Sequence, residues 1–184
     1  MKKKEVRNEN ISGNGGGDTR DRARQLLNEG AELLRQRRPV EAADQLERAW
    51  KLDPTLIEVA INLGGAYVMQ GRYAEAVSVL EEASRIEPDN VMLWINLAAA
   101  YLGTLEISDE EGQLKAISAF EQALALDPEA PSVNYNLGLI YKQRGEAERA
   151  AAHFWRALEV DPSDSDARTR LRQLGYENTR PPDG

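Results

Sequence analysis

The chain has no cysteine and a single histidine among its 184 residues. Without cysteine it has no disulfide scaffold, thiolate zinc site, iron–sulfur ligand or cysteine nucleophile. His153 follows a run of three alanines, and we interpret it as an ordinary residue on the surface of a helix. Neither a histidine-dependent triad nor a transition-metal site is therefore expected.

Basic residues are also scarce relative to acidic ones, since 23 Lys and Arg face 31 Asp and Glu for a formal net charge of −8. Nucleic acid and anionic lipid both favour stripes of Lys and Arg, so neither is an expected partner. Nucleophile–base pairs, phosphate-binding loops and metal-ligand clusters are missing from the sequence. We expect no catalytic residues, no metal, no cofactor and no enzymatic activity.

Long apolar runs are missing as well. The most apolar window, residues 91–102, is shorter than the roughly 20 residues that cross a bilayer. The lysines at positions 2–4 resemble the start of a signal peptide, but no apolar stretch follows them. The sequence therefore predicts no membrane insertion and a cytoplasmic location.

An internal repeat is present instead. An acidic residue followed by proline occurs four times, and these prolines stand 34, 40 and 34 residues apart. Because proline cannot extend the preceding helix, each pair is expected to end one repeat and begin the next. The pairs are Asp53–Pro54, Glu87–Pro88, Asp127–Pro128 and Asp161–Pro162.

Other positions recur with the same period. The second repeat has Ala60, Leu63, Gly64, Tyr67, Ala76, Leu80 and Ala83, and the fourth has Asn134, Leu137, Gly138, Tyr141, Ala150, Phe154 and Ala157. The third has Trp94, Leu97, Ala98, Tyr101, Ala116, Phe120 and Ala123, and the looser first has Leu26, Glu29, Gly30, Leu33, Ala42, Leu46 and Ala49. The small residues predict close approach of two helices where they meet, and the large ones predict one continuous core.

This order of residues resembles the tetratricopeptide repeat family, with four repeats and a C-terminal capping helix. The resemblance implies an all-α fold, a right-handed α-solenoid of antiparallel helix pairs. The repeats span about 23–56, 57–90, 91–130 and 131–164, within a domain over 19–174. Helices are predicted at 19–36, 39–52, 56–70, 73–86, 90–103, 109–126, 130–143 and 146–160, with the capping helix at 163–174 begun by Ser163 or Ser165. Residues 1–18 and 175–184 are predicted to be a disordered and a flexible tail.

The third repeat carries six extra residues within 104–112. In one interpretation Ser108 and Glu111 form a capping box, and Leu105 and Ile107 fold back as a hydrophobic contact. In the other, the segment is a mobile acidic loop.

Resemblance to the family also implies a concave face, lined by the first helix of each repeat, that accepts a peptide segment of a partner protein. The matching column is Asn28, Asn62, Asn96 and Asn136, and family members that bind extended segments use asparagine there. Alternatively these amides hydrogen-bond between neighbouring repeats. Adjacent columns predict an apolar floor and add to the candidate peptide-binding residues Leu27, Ile61, Ile95, Tyr135, Gly65, Ala99 and Leu139.

The expected function is thus that of an adaptor or scaffold that binds a peptide. A structural or oligomerisation module, acting through end-to-end stacking or the convex face, is the alternative and makes a homo-oligomer possible. The family's basic clamp for C-terminal carboxylates does not carry over, because Arg24, Arg35 and Lys142 lie too far apart in the sequence.

Overall fold

A computed structural model describes residues 15–105 and 108–181 of the chain. Within these ranges the chain forms nine helices and no strand, and consecutive helices pack as hairpins against one another. The predicted all-α helical repeat solenoid is confirmed. The helices are α1 (Gly15–Arg35), α2 (Pro39–Leu52), α3 (Ile57–Met69), α4 (Tyr73–Ile86), α5 (Val91–Leu102), α6 (Glu110–Leu126), α7 (Val133–Gln143), α8 (Ala147–Val160) and α9 (Ser165–Leu174).

The two ends of the chain differ from the predicted tails where they are described. Helix α1 begins at Gly15, so residues 15–18 of the predicted disordered tail are helical, and residues 1–14 lie outside the described ranges. After α9, the indole nitrogen of Trp155 donates to the carbonyl of Tyr176 at 3.2 Å, and Arg180 pairs with Glu159. The described part of the C-terminal tail therefore lies against α8, while residues 182–184 are outside the described ranges.

Each acidic-proline pair forms the turn between two repeats. After α2 the carbonyl of Asp53 accepts from the amide of Leu56 at 3.2 Å, and the same bond closes the three later turns. The side chain of Asp53 also accepts from the amide of Thr55 at 3.0 Å, which holds the turn from within. The four prolines mark the boundaries between repeats, as the sequence predicts.

The turn inside each hairpin follows a second rule. In the first, second and fourth hairpins, the second residue after the first helix adopts positive φ: Arg37, Gly71 and Gly145, with values of 57°, 73° and 77°. In each case the next amide reaches back to a carbonyl in the last turn of the helix, as Arg72 does to Tyr67 at 2.9 Å. This is the usual way to end a helix in the left-handed conformation, and glycine is the residue that adopts it without strain.

Arg37 is therefore strained where the later repeats carry glycine. We expect Arg37→Gly to raise the free energy of unfolding by about 1 kcal/mol, because it removes the cost of a side chain in the left-handed region. Gly71→Arg at the equivalent turn should lower it by a similar amount. Urea unfolding of both variants measures this, and two changes of the same sign would contradict it.

The two helices of a hairpin approach each other closely at the recurring glycines. A Cβ added at Gly64 would lie 2.7 Å from the side chain of Leu80, and one added at Gly138 would lie 2.6 Å from the ring of Phe154. The glycines thus face the large residues of the second helix. Absence of a side chain on the first helix makes room for a leucine or a phenyl ring on the second.

The buried side chains form a core that runs along the stack and consists of two clusters joined at α5. One cluster of buried side chains runs from α1 to α5, and another runs from α5 to α9. Trp94 and Tyr101 on α5 pack against both, so this helix joins the two clusters. None of the helices in the described ranges has the length and apolar character needed to cross a bilayer.

Two helix starts use an aspartate where a serine was predicted. The side chain of Asp109, rather than Ser108, caps α6 by accepting from the amide of Gly112 at 2.8 Å. Asp164, rather than Ser163 or Ser165, caps α9 by accepting from Ala167 at 2.9 Å. A carboxylate is a stronger acceptor than a hydroxyl at the positive end of a helix, which explains both choices.

Within the third repeat's extra segment, Leu105 packs against the second core cluster. Glu106 and Ile107 lie outside the described residues, so the predicted contact of Ile107 is untested.

Successive first helices contact one another directly, α1 with α3 and α3 with α5. The second helices pack mainly against the first helices before and after them. Helices α1, α3 and α5 thus lie side by side with the second helices outside them. We call the face formed by these first helices, and by the first helix of the fourth repeat, α7, the inner face.

Candidate functional site

The asparagine column falls on this inner face, one residue to each first helix. Because each amide occupies the same position of its repeat, stacking the repeats places the four in one row. Asn28 on α1 is exposed, and the other three are half-buried. The members are Asn28, Asn62, Asn96 and Asn136.

Two of these amides have a defined orientation. Nδ2 of Asn62 donates to the carbonyl of Glu58, and Nδ2 of Asn96 donates to the carbonyl of Met92, both at 2.8 Å. These bonds stay within one helix, so the predicted alternative of bonds between repeats is not what holds them. Among the described residues no group hydrogen-bonds to Oδ1 of either side chain, which leaves an acceptor on each for a ligand.

The residues beside the column are all half-buried, and the larger ones among them pack against the core. Tyr135 shows how: its ring packs on that of Phe154, with centroids 5.6 Å apart. A Cβ added at Gly65 meets no atom within 4 Å, so the surface is open there. The set that was predicted as the floor is Leu27, Ile61, Ile95, Tyr135, Gly65, Ala99 and Leu139.

The basic residues near this face are mostly engaged elsewhere. Arg35 pairs with Glu32 on its own helix, and Nζ of Lys142 donates to Gln173 at 3.0 Å. The inner face therefore offers amides and apolar surface, without a cluster of free cations for a carboxylate.

The sequence interpretation of His153 is wrong. Its ring is half-buried, its Nδ1 lies 3.0 Å from Oδ1 of Asn134, and it stacks on Tyr141 with centroids 5.3 Å apart and planes 12° apart. Asn134 is the departure from the repeat pattern, and it is 5% exposed. The buried Asn134 is thus paired with the only histidine of the chain. Their 19-residue spacing, which places one on each helix of the same hairpin, was the sequence signal for this contact.

Burial, and then the charges of Arg156 and Arg149, lower the pKa of His153 to about 4. The unfolded chain binds the proton near pH 6.5, so stability is complete above that pH and falls as the pH drops towards 4. We expect a loss of about 2 kcal/mol between pH 7 and pH 5. His153→Gln, which keeps a hydrogen-bonding group without the titration, should remove most of it. Urea unfolding at pH 7 and pH 5 measures the loss of stability in the wild type and in the His153→Gln variant. Equal losses in the two proteins would contradict the assignment of this loss to His153.

Tyrosine–glutamate bonds tie neighbouring repeats together, and the sequence analysis missed them. The hydroxyl of Tyr67 donates to Glu47 at 2.8 Å, and that of Tyr101 donates to Glu81 at 2.6 Å. Burial and these carboxylates raise the pKa of both tyrosines to about 12. Both pairs recur one period apart, which is the sequence signal that would have found them.

The tryptophans of the second helices are partly buried. Trp50 packs against the first core cluster and Trp155 against the second. Each lines a cleft on the outer side of the stack, of about 290 Å³ at Trp50 and about 420 Å³ at Trp155. No group of His, Cys, Asp and Glu in the described ranges is arranged to hold a metal ion.

Sequence models described as tetratricopeptide repeat match residues 33–101 and 131–164, and a model described as TPR repeat matches residues 111–145. Together these matches cover residues 33–101 and 111–164, which include most of the first repeat, the second and fourth repeats, and the third repeat except residues 102–110. No curated protein matches the chain.

Several solved structures are similar in fold. MamA 41-end from Desulfovibrio magneticus RS-1 is 21% identical, with 87% of this chain and 89% of that chain covered and a TM-score of 0.70. TTC0263, a thermophilic TPR protein of Thermus thermophilus, is 22% identical over 86% and 84%, with a TM-score of 0.70. The pilF protein of Pseudomonas aeruginosa is 19% identical over 89% and 71%, with a TM-score of 0.73. At these identities the likeness concerns the fold alone.

Proposed function

Because this chain belongs to the tetratricopeptide repeat family, whose members generally serve as scaffolds for protein–protein interaction, we propose that it binds a peptide segment of a partner protein on its inner face. The segment lies in extended form along the row of first-helix asparagines. Catalysis is no part of this proposal.

The observation that carries the proposal is the orientation of the amides. With Nδ2 of Asn62 and Asn96 donating to their own helices, each Oδ1 is an acceptor for a backbone N–H of the bound segment. An amide that bonds to a peptide backbone recognises any residue, so the row gives affinity with little dependence on sequence.

Side-chain preference comes from the apolar floor. Ile61 and Ile95 are half-buried on the same helices as the two amides, and the space above Gly65 is open. Burying an aliphatic side chain contributes roughly 1.5–3 kcal/mol, so the preferred ligand carries apolar residues that reach this floor.

The ends of the stack do not favour the alternative of end-to-end assembly. On α1 the exposed residues include Arg22 and Gln25, and on α9 they include Arg168, Thr169 and Gln173. Stable subunit interfaces are more apolar than this at their centre. The acidic composition of the chain likewise supports a protein partner over nucleic acid.

The test is a double substitution of the amides. Peptides are first selected on the wild type from a random displayed library, and their affinities are then measured by calorimetry. We expect Asn62→Ala with Asn96→Ala to weaken binding about tenfold to thirtyfold, since two hydrogen bonds at about 1 kcal/mol each are lost. Thermal stability should change little, because both side chains lie at the surface of their helices.

Gln122→Ala is the matched control, because it removes an exposed amide from a second helix. It should leave the affinity unchanged. Peptides that bind the double variant as tightly as the wild type would rule out the asparagine row.

A further inference from the structure

The 290 Å³ cleft on the outer side lies between α2 and α4 and does not share its lining with the asparagine row. Its walls include the indole of Trp50, the ring of Tyr67 and the side chain of Val79. Flat aromatic walls of this kind pack well against the methylene chain of a lysine or arginine.

The rim of the cleft is acidic. Glu47, Glu75 and Glu82 line it, with Lys51 as the one basic lining residue of this cleft. Arg72 pairs with Glu75 at 3.0 Å and lies 3.9 Å from Glu47. Glu82 is exposed, and within the described ranges it takes part in no ion pair. One carboxylate beside the Trp50 wall is thus left for an external cation.

Later repeats do not reproduce this rim. At the position of Glu82 the third repeat has Gln122 and the fourth has Arg156. At the position of Glu75 the third repeat has Lys115. The cleft at Trp50 therefore combines a tryptophan wall with acidic residues at both of these positions, and the later repeats do not.

A complementary segment exists in the same chain. Residues 1–14 carry four basic and two acidic side chains, although the chain as a whole has a net charge of −8. The start of α1 lies near the cleft, because Arg20 on α1 is 3.6 Å from Asp53, three residues after Trp50. The eleven residue-to-residue steps from Lys4 to Gly15 span about 37 Å when extended, so the lysines can reach the cleft from the start of α1.

We propose that the N-terminal lysines Lys2, Lys3 and Lys4 dock in the outer cleft of the same molecule. A lysine side chain lies along the indole of Trp50 and places its ammonium group at Glu82. The short tether keeps the lysines at a high effective concentration, so even a weak ion pair is populated. The segment thereby covers the outer face of the first two repeats and leaves the inner face open.

The experiment uses the full chain labelled with 5-fluorotryptophan. Its three tryptophans give three fluorine resonances, and Trp50→Phe identifies that of Trp50. We expect Lys2→Gln, Lys3→Gln and Lys4→Gln together to displace the Trp50 resonance and leave the other two in place. Glu82→Gln, which installs the residue found at position 122, should displace it similarly, as should about 1 M salt, where the Debye length falls to about 3 Å.

Glu58→Gln, an exposed carboxylate on the inner face of the same repeat, is the control and should displace nothing. In the Glu82→Gln protein the lysine substitutions should have no further effect. A Trp50 resonance that is the same with and without the lysines would overturn the proposal, as would a full lysine effect in the Glu82→Gln protein. A displacement that grows with protein concentration would assign the contact to a second copy and overturn it too.

Discussion

Phe154→Ala should lower the free energy of unfolding by about 3–5 kcal/mol, the range for removing a buried aromatic ring. The Phe154 side chain is fully buried, with 0% exposure. Its ring fills the notch left by Gly138 and packs on Tyr135. The alanine would leave a cavity between the two helices of the fourth repeat, because a glycine on the facing helix has no side chain that can fill it.

Val160→Ala on the same helix is the matched control, since Val160 is 39% exposed. Its effect should stay within about 0.5 kcal/mol, as for most surface substitutions. Urea unfolding followed by circular dichroism measures both. A loss below about 1 kcal/mol for Phe154→Ala would mean that the fourth hairpin is not packed as described.

Gly64→Val should lower the free energy of unfolding by about 3 kcal/mol, at the upper end of overpacking costs. A Cβ at this position would lie 2.7 Å from Leu80, whose side chain is 0% exposed and is held on all sides. The two helices of the second repeat would have to move apart to admit the valine.

Gly65→Val provides a control in the adjacent residue. A Cβ there meets nothing within 4 Å, so the helix gains a better helix former without a clash. The change in stability should be within about 0.5 kcal/mol of zero. Equal effects at the two glycines, measured by thermal and urea unfolding, would contradict the close approach at Gly64.

The repeat pattern could be predicted because it comes from local rules. A proline after an acidic residue ends a helix whatever surrounds it, and α2 and α4 have the predicted bounds. The start of α7 differs from the prediction. Helix α7 begins at Val133 rather than at residue 130, because Ser132 adopts a positive φ of 63° after Pro131.

Contacts between helices were harder to predict than the helices themselves. Periodicity identifies Gly64 and Leu80 as recurring, but it does not say that they touch each other. The pair Asn134 and His153 was missed for the same reason, since only the folded hairpin brings the two side chains to 3.0 Å. Charge-assisted hydrogen bonds such as that from Tyr67 to Glu47 join residues of two different repeats, so the sequence of one repeat does not indicate them.

The candidate binding residues were predictable in position and not in orientation. Their placement on the first helices follows from the repeat, whereas the bonds of Asn62 and Asn96 to their own helices depend on side-chain rotamers. Their role in binding remains a prediction.

Site-specific photo-crosslinking with a selected peptide tests the central claim most directly. Benzoylphenylalanine replaces Gly65 on the inner face in one protein and Gln122 on a second helix in another. We predict a covalent adduct with the peptide from position 65 and none from position 122. Adducts from position 122 alone, or equal yields from both, would contradict binding on the inner face.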